Sequence, residues 1–175
     1  SQLGPTAAVT KIRKYTLDLY KKLEIEVEHS AGLRLNGALS IAQTESRWQE
    51  LKRQATTAQL YDVDIKILDK EDIKKNYPMM HTKDLKGGVL MPGDGAADPS
   101  GVTHMLAKAA RKGGAKIFEQ SPVENVLTKN GRVHGVKVDG KIIECEYVVL
   151  ATGMWSRQIG EKIGVSIPLY PAEHF

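Results

Sequence analysis

Two dipeptides, Asn130-Gly131 and Asp139-Gly140, constrain the fold of this chain more than any other feature. Each supplies the positive φ angles that a two-residue hairpin turn requires. They separate three short runs, Val123 to Thr128, Arg132 to Lys137 and Lys141 to Glu146, which therefore read as an antiparallel meander. An apolar run, Val148 to Ala151, comes next and reads as a strand buried on both faces. It stops at Thr152-Gly153, where a glycine lets backbone approach a ligand or a neighbouring strand. Ligands collect at the carboxyl ends of strands in open α/β sheets, so Gly153 and Trp155 occupy a candidate ligand position.

Helices and short strands alternate before the meander. Ile12, Tyr15, Leu19, Tyr20 and Leu23 recur at helical spacing behind Pro5-Thr6, which predicts an amphipathic helix over 6–23. Leu33 to Ala42 is expected as a strand containing Gly37. Thr44 is a fitting cap for a second helix whose buried face holds Trp48, Leu51, Ala55 and Ala58. Ile65 to Leu68 reads as a strand, and Asp69 then caps a short helix that Tyr77-Pro78 ends. Gly88 to Met91 is a further strand. Asp98-Pro99 opens a helix with Val102, Met105, Leu106 and Ala109 as its buried stripe, and Gly113-Gly114 closes it. Ala115 to Phe118 is expected to return as a strand.

Several classes of function find no support. The net charge of +4 on 175 residues is mild, and the basic residues are scattered along helix faces without interleaved aromatics, which argues against a nucleic-acid partner. No apolar stretch is long enough for a membrane span. The single cysteine, Cys145, excludes an intrachain disulfide and suits a reducing compartment. His29, His81, His104 and His134 show no metal-ligand spacing, so no metal site is expected. No G-x-S-x-G is present to set up a serine nucleophile. Nor is there a G-x-G-x-x-G: in Gly93-Asp94-Gly95, Asp98 takes the last glycine position and Pro99 follows. Asp94 and Asp98 read as turn and cap residues.

The meander feeding Ala151-Thr152-Gly153-Met154-Trp155 resembles the second half of an FAD-binding domain in the D-amino-acid-oxidase-like superfamily, and within it the dimethylglycine and sarcosine dehydrogenase group. Leu35 to Ala42 is similar to the family's glycine-containing strand that opens the substrate domain. Gly87 to Pro99 is close to its G-G-x-x-x-P-x-D-G-x-x-D-P segment. Pro168-Leu169, Pro171 and His174 resemble its P-L-x-P-x-x-H segment. The likeness implies an α/β (α+β) fold: part of a Rossmann-like FAD-binding domain with a β-meander, interleaved with an antiparallel-sheet substrate domain. On that reading, 1–30 and 98–164 belong to the FAD-binding portion and 31–97 and 165–175 to the substrate portion.

The same resemblance implies FAD as cofactor, with Val123, Ala151, Gly153 and Trp155 beside it and His174 near the flavin's reactive face. It also implies a small amine as substrate and the remainder of a longer polypeptide as partner. Both ends read as cuts through that polypeptide, so the 175-residue chain alone is expected neither to hold FAD stably nor to be active. A cytoplasmic setting, or the mitochondrial matrix in a eukaryote, suits these features. Two rivals stay open: oxidation of a D-amino acid or glycerol 3-phosphate on the same fold, and a non-catalytic partner-binding module.

Overall fold

The computed structural model describes residues 2–173, which form two compact units divided between Ile117 and Phe118. His174 lies outside the described residues.

The first unit is built on a three-stranded antiparallel sheet of β1 (Ala38–Ala42), β2 (Lys66–Leu68) and β3 (Gly87–Met91), in the order β1-β3-β2. Val89 of the central strand lies opposite Ser40 of β1 and Ile67 of β2. Because side chains alternate along a strand, the sheet buries two different sets. Ala42 and Val89 meet Leu51 and Ala55 of α2 (Glu45–Gln59), with Trp48 and Ile65 packed alongside. Leu39 and Leu90, on the other face, close over Ile73 of α3 (Lys70–Asn76) together with Leu68 and Leu85. A third cluster joins the long helix α1 (Ala7–Glu26) to α4 (Pro99–Lys112): Val27, Ala31 and Met105 are buried there, flanked by Tyr20, Leu23 and Val102.

Helix starts follow the side-chain chemistry of the caps. Thr6, Thr44, Asp69 and Asp98 each sit in extended backbone and accept an N–H from the first turn that follows. The Asp98 Oδ2 bond from the Gly101 N–H is 2.7 Å long, and Pro99 enters at the first turn, where a missing N–H costs nothing. The strand expected over Leu33 to Ala42 is shorter than its sequence suggests. Gly37 takes φ +84°, which breaks the extended run, so β1 begins at Ala38 while Arg34 forms an isolated bridge with Ala96. A side chain on Gly95 would overlap the Arg34 carbonyl, so this close crossing of two backbones requires glycine there.

The second unit contains the meander as expected: β4 (Val123–Lys129), β5 (Arg132–Val138) and β6 (Lys141–Glu144), antiparallel in chain order. Asn130, Gly131, Asp139 and Gly140 all have φ between 48° and 73°, the geometry that tight turns matched to strand twist demand. The pairing of β4 with β5 slips between Val123 and Asn125. At that slip Glu124 turns its carboxylate to the second hairpin, accepting the Gly140 N–H at 2.8 Å and meeting Lys137 Nζ at 3.0 Å.

Two expected strands are absent. Val148 to Ala151 is irregular, with Val149 88% exposed, and Ala115 to Phe118 is irregular too. Apolar composition favours burial, but a strand also needs a neighbour to take its N–H and C=O groups. Among the described residues no strand pairs with either segment.

The Glu124 contacts have a pH consequence. The Gly140 N–H, and then Lys137, favour the ionised carboxylate and hold the Glu124 pKa below its ordinary value. A depressed folded-state pKa stabilises the fold above the unfolded value and loses that contribution as pH falls through the folded one. Glu124→Gln should therefore flatten the decline in thermal midpoint below about pH 4.3, the usual glutamate value, while leaving the pH 7 to 8 plateau level in slope. An acid limb as steep as that of the unaltered protein would show that Glu124 plays no part.

Candidate functional site

Beyond the meander the chain passes through an irregular segment into a single 3-10 turn, Gly153–Trp155, and directly into helix α5 (Ser156–Lys162). The Trp155 N–H donates to the Thr152 carbonyl at 3.2 Å, and the Thr152 and Ser156 hydroxyls lie 2.9 Å apart, so the turn is held from both sides. Gly153 adopts φ +54°, and a Cβ built there would meet nothing within 4 Å. Its glycine therefore answers to backbone conformation rather than crowding, and the space in front of the turn is open.

Trp155 is 61% exposed, an unusual position for the largest apolar side chain. It lines a hollow of about 350 Å3 with Met154, Arg157, Leu169 and Tyr170. Arg157 is held along α5 by its Nε donating to Glu161 Oε1 at 2.9 Å. Lys162, near the end of the same helix, reaches the Glu124 carbonyl at 3.5 Å and ties α5 to the start of β4. Gly160 packs so closely on Val165 that a Cβ would come 2.7 Å from the Val165 carbonyl oxygen, which fixes the chain leaving α5.

Of the residues singled out from the sequence, Gly153 and Trp155 share one turn, and Trp155 alone lines this hollow. Val123 begins β4 half-exposed, opposite Val138, and Ala151 is exposed in the irregular segment. Neither belongs to the wall of the hollow. Arg157 and Tyr170 are the residues that sequence reasoning missed. Tyr170 stands at the variable position of Pro168-Leu169-x-Pro171, and Arg157 two residues after Trp155, so spacing to a recognised motif was the only signal available. No group of three or more metal-ligating side chains occurs among the described residues, and none of their helices is long and apolar enough to cross a membrane.

The backbone of the preceding segment has no strand partner among the described residues, the space before the glycine is open, and the exposed Trp155 ring lies beside Arg157 and its partner Glu161.

Comparison with known proteins bears on the same region. The DAO family, described as FAD dependent oxidoreductase, matches residues 1–175. The chain is 36% identical to 4-methylaminobutanoate oxidase (formaldehyde-forming) of Paenarthrobacter nicotinovorans, over 97% of this chain and 20% of that protein. It is 33% identical to the mitochondrial pyruvate dehydrogenase phosphatase regulatory subunit of Mus musculus, over 94% of this chain and 19% of that protein. With human mitochondrial dimethylglycine dehydrogenase the identity is 30%, over 97% of this chain and 20% of that protein. The chain thus spans about a fifth of the length of the curated relatives it matches. Among solved structures, L-proline dehydrogenase from P. horikoshii superposes with a TM-score of 0.86 at 27% identity, covering 94% of this chain and 44% of that one.

If Trp155 stacks on or shields a bound flavin nucleotide, Trp155→Ala in the full-length protein should lower flavin content after gel filtration by about tenfold, the loss of roughly 1.4 kcal/mol. Flavin content equal to that of the unaltered protein, read from visible absorbance, would place Trp155 outside the cofactor's contacts.

Proposed function

Because this chain belongs to the FAD dependent oxidoreductase family, we propose that it is part of an amine dehydrogenase or oxidase that acts on N-methyl amino acids of the dimethylglycine or sarcosine type. When bound, FAD supplies the acceptor for a hydride leaving the carbon next to nitrogen, and the resulting imine is hydrolysed by water. One observation supports this reading above the rest: an open glycine turn presents Trp155, largely uncovered, beside Arg157 and Tyr170.

In this reading Gly153 and Ala151 admit the nucleotide to the backbone, Val123 borders it from the start of the meander, and Trp155 covers it. Residues 1–30 and 98–164 form the FAD-binding portion, and 31–97 with 165–175 the substrate portion. The remainder of a longer polypeptide supplies the phosphate-holding loop, since no G-x-G-x-x-G lies within this sequence. His174 takes the proton of a substrate ammonium, a task suited to a group that titrates near neutrality. An ammonium nitrogen has no lone pair to support loss of hydride from its neighbour, so this deprotonation must come first. A cytoplasmic or mitochondrial-matrix setting fits, and two of the relatives carry "mitochondrial" in their names.

A second reading has an observation of its own. One relative is named a regulatory subunit rather than an oxidoreductase, which keeps a non-catalytic partner-binding role in play.

Flavin absorbance of the full-length protein separates the two. The proposed activity requires anaerobic bleaching near 450 nm (roughly where oxidised flavin absorbs) by dimethylglycine or sarcosine, and little by D-alanine or glycerol 3-phosphate. A flavin that none of the four bleaches would favour the partner-binding role. His174→Ala should slow bleaching by ~10²-fold or more, the usual scale of acid–base assistance, with flavin still bound and the loss smaller at high pH. A reduction rate that does not change would remove His174 from the chemistry.

A further inference from the structure

A second hollow, of about 400 Å3, lies wholly within the first unit between α1 and the loop that follows β3. Its walls are largely apolar, and two residues of opposite charge line it: Arg13 on α1 and Asp94 in the loop. They are not paired with each other, and among the described residues no carboxylate lies within 4 Å of the Arg13 guanidinium. Arg13 is exposed and spends one N–H on the Leu3 carbonyl at 2.7 Å, which leaves most of its donor fork free.

Asp94 is the more telling partner. It is 3% exposed, and among the described residues its Oδ2 has no hydrogen-bond partner. A buried carboxylate oxygen without a donor is costly and rare enough to need an explanation. The loop cannot easily relieve it. The Asp94 N–H is bound to the Met91 carbonyl, its own carbonyl accepts the Gly37 N–H at 2.7 Å, and the next residue is the glycine pressed against Arg34. Among the described residues only Oδ1 is satisfied, by the Gln2 N–H at 2.8 Å.

We propose that this hollow binds a small zwitterion, with Asp94 receiving its ammonium and Arg13 its carboxylate. Separated opposite charges across an apolar space match a molecule that carries both, and each end is then paired out of water. Thr16 and Tyr20, one and two helical turns beyond Arg13 on the same face of α1, complete the wall toward the apolar middle. Oδ2 is closed over at rest, so the ammonium reaches it by displacing the Gln2 segment, which is held to Asp94 by one bond. The choice of an N-methylated amino acid as the zwitterion rests on the amine-oxidising reading above. The hollow itself does not.

The test is calorimetric titration of the full-length protein, kept anaerobic and reduced with dithionite so that no turnover occurs, with dimethylglycine, methylammonium and acetate in turn. Dimethylglycine should bind most tightly. Arg13→Gln should weaken it about tenfold and weaken acetate but not methylammonium, and Asp94→Asn should show the converse pattern of sensitivity. Arg13 is exposed, so Arg13→Gln tests the site even if Asp94→Asn does not fold. Dimethylglycine binding by Arg13→Gln at the original affinity overturns the proposal, as does no binding to the unaltered protein. If binding depends on Arg13 while dimethylglycine fails to bleach oxidised flavin, the zwitterion site stands and the amine-oxidising reading falls. If dimethylglycine bleaches oxidised flavin while its calorimetric affinity is unchanged by Arg13→Gln, the reverse holds.

Discussion

Strand β3 has hydrogen-bonded neighbours on both edges and a helix over each face, so the packing of α2, α3, β1 and β2 is all referred to five residues, Gly87–Met91. A Cβ on Gly88 would come 2.8 Å from the Ser40 carbonyl oxygen, and one on Gly87 would strike the Trp48 ring at about the same distance. The two glycines therefore set how closely β1 and α2 approach the centre. Val89, fully buried, fills the α2 face beside Gly87, while Gly88 leaves the opposite face to Ile73 and Leu39. The loop that follows inherits this fixed starting point. It turns through Pro92 to Asp98, crosses the Arg34 backbone at Gly95, and delivers Asp98 to cap α4 and Asp94 to the hollow against α1. The charge inside that hollow is thus positioned from the sheet outward.

The second unit depends on local geometry instead. Its meander is specified by turns that only a few residue types can make, and only Val126 and Gly135 of its strands are buried. So exposed a sheet relies more on its hairpins and cross-strand contacts than on a core. Glu124 shows how such contacts are recruited: the same slip that interrupts the ladder frees its side chain to hold the neighbouring hairpin.

Features governed by near neighbours in sequence were legible before the structure. Thr44, Asp69 and Asp98 had to cap because short oxygen-bearing side chains preceded helical runs, and both hairpins followed from Asn-Gly and Asp-Gly. What depends on a distant partner was not legible. Val148 to Ala151 has the composition of a buried strand, yet burial requires something to be buried against, and no periodicity reports that. Asp94 looked like a turn residue because Pro-Gly-Asp-Gly is turn chemistry. The backbone does turn there, but the side chain points into a closed environment that no local pattern encodes. Arg13 was hidden by the opposite effect, since a basic residue on an amphipathic helix ordinarily means a solvated face.

The two hollows differ in kind. The one beside Trp155 is a surface between an exposed aromatic ring, a helix-borne arginine paired with Glu161, and a proline-rich segment. The one beside Asp94 is walled by a helix and a braced loop, and it holds a buried carboxyl group with one oxygen that has no donor among the described residues. Braced loops keep their strain or their unpaired groups only when the surrounding structure over-determines them. Here the bracing comes from β3, from Gly37 and from the glycine crossing at Arg34, none of which touches the hollow through a charged group. On the proposal above, a carboxylate held that firmly stays in place while the Gln2 segment moves aside, so the entering cation meets an acceptor that is already positioned.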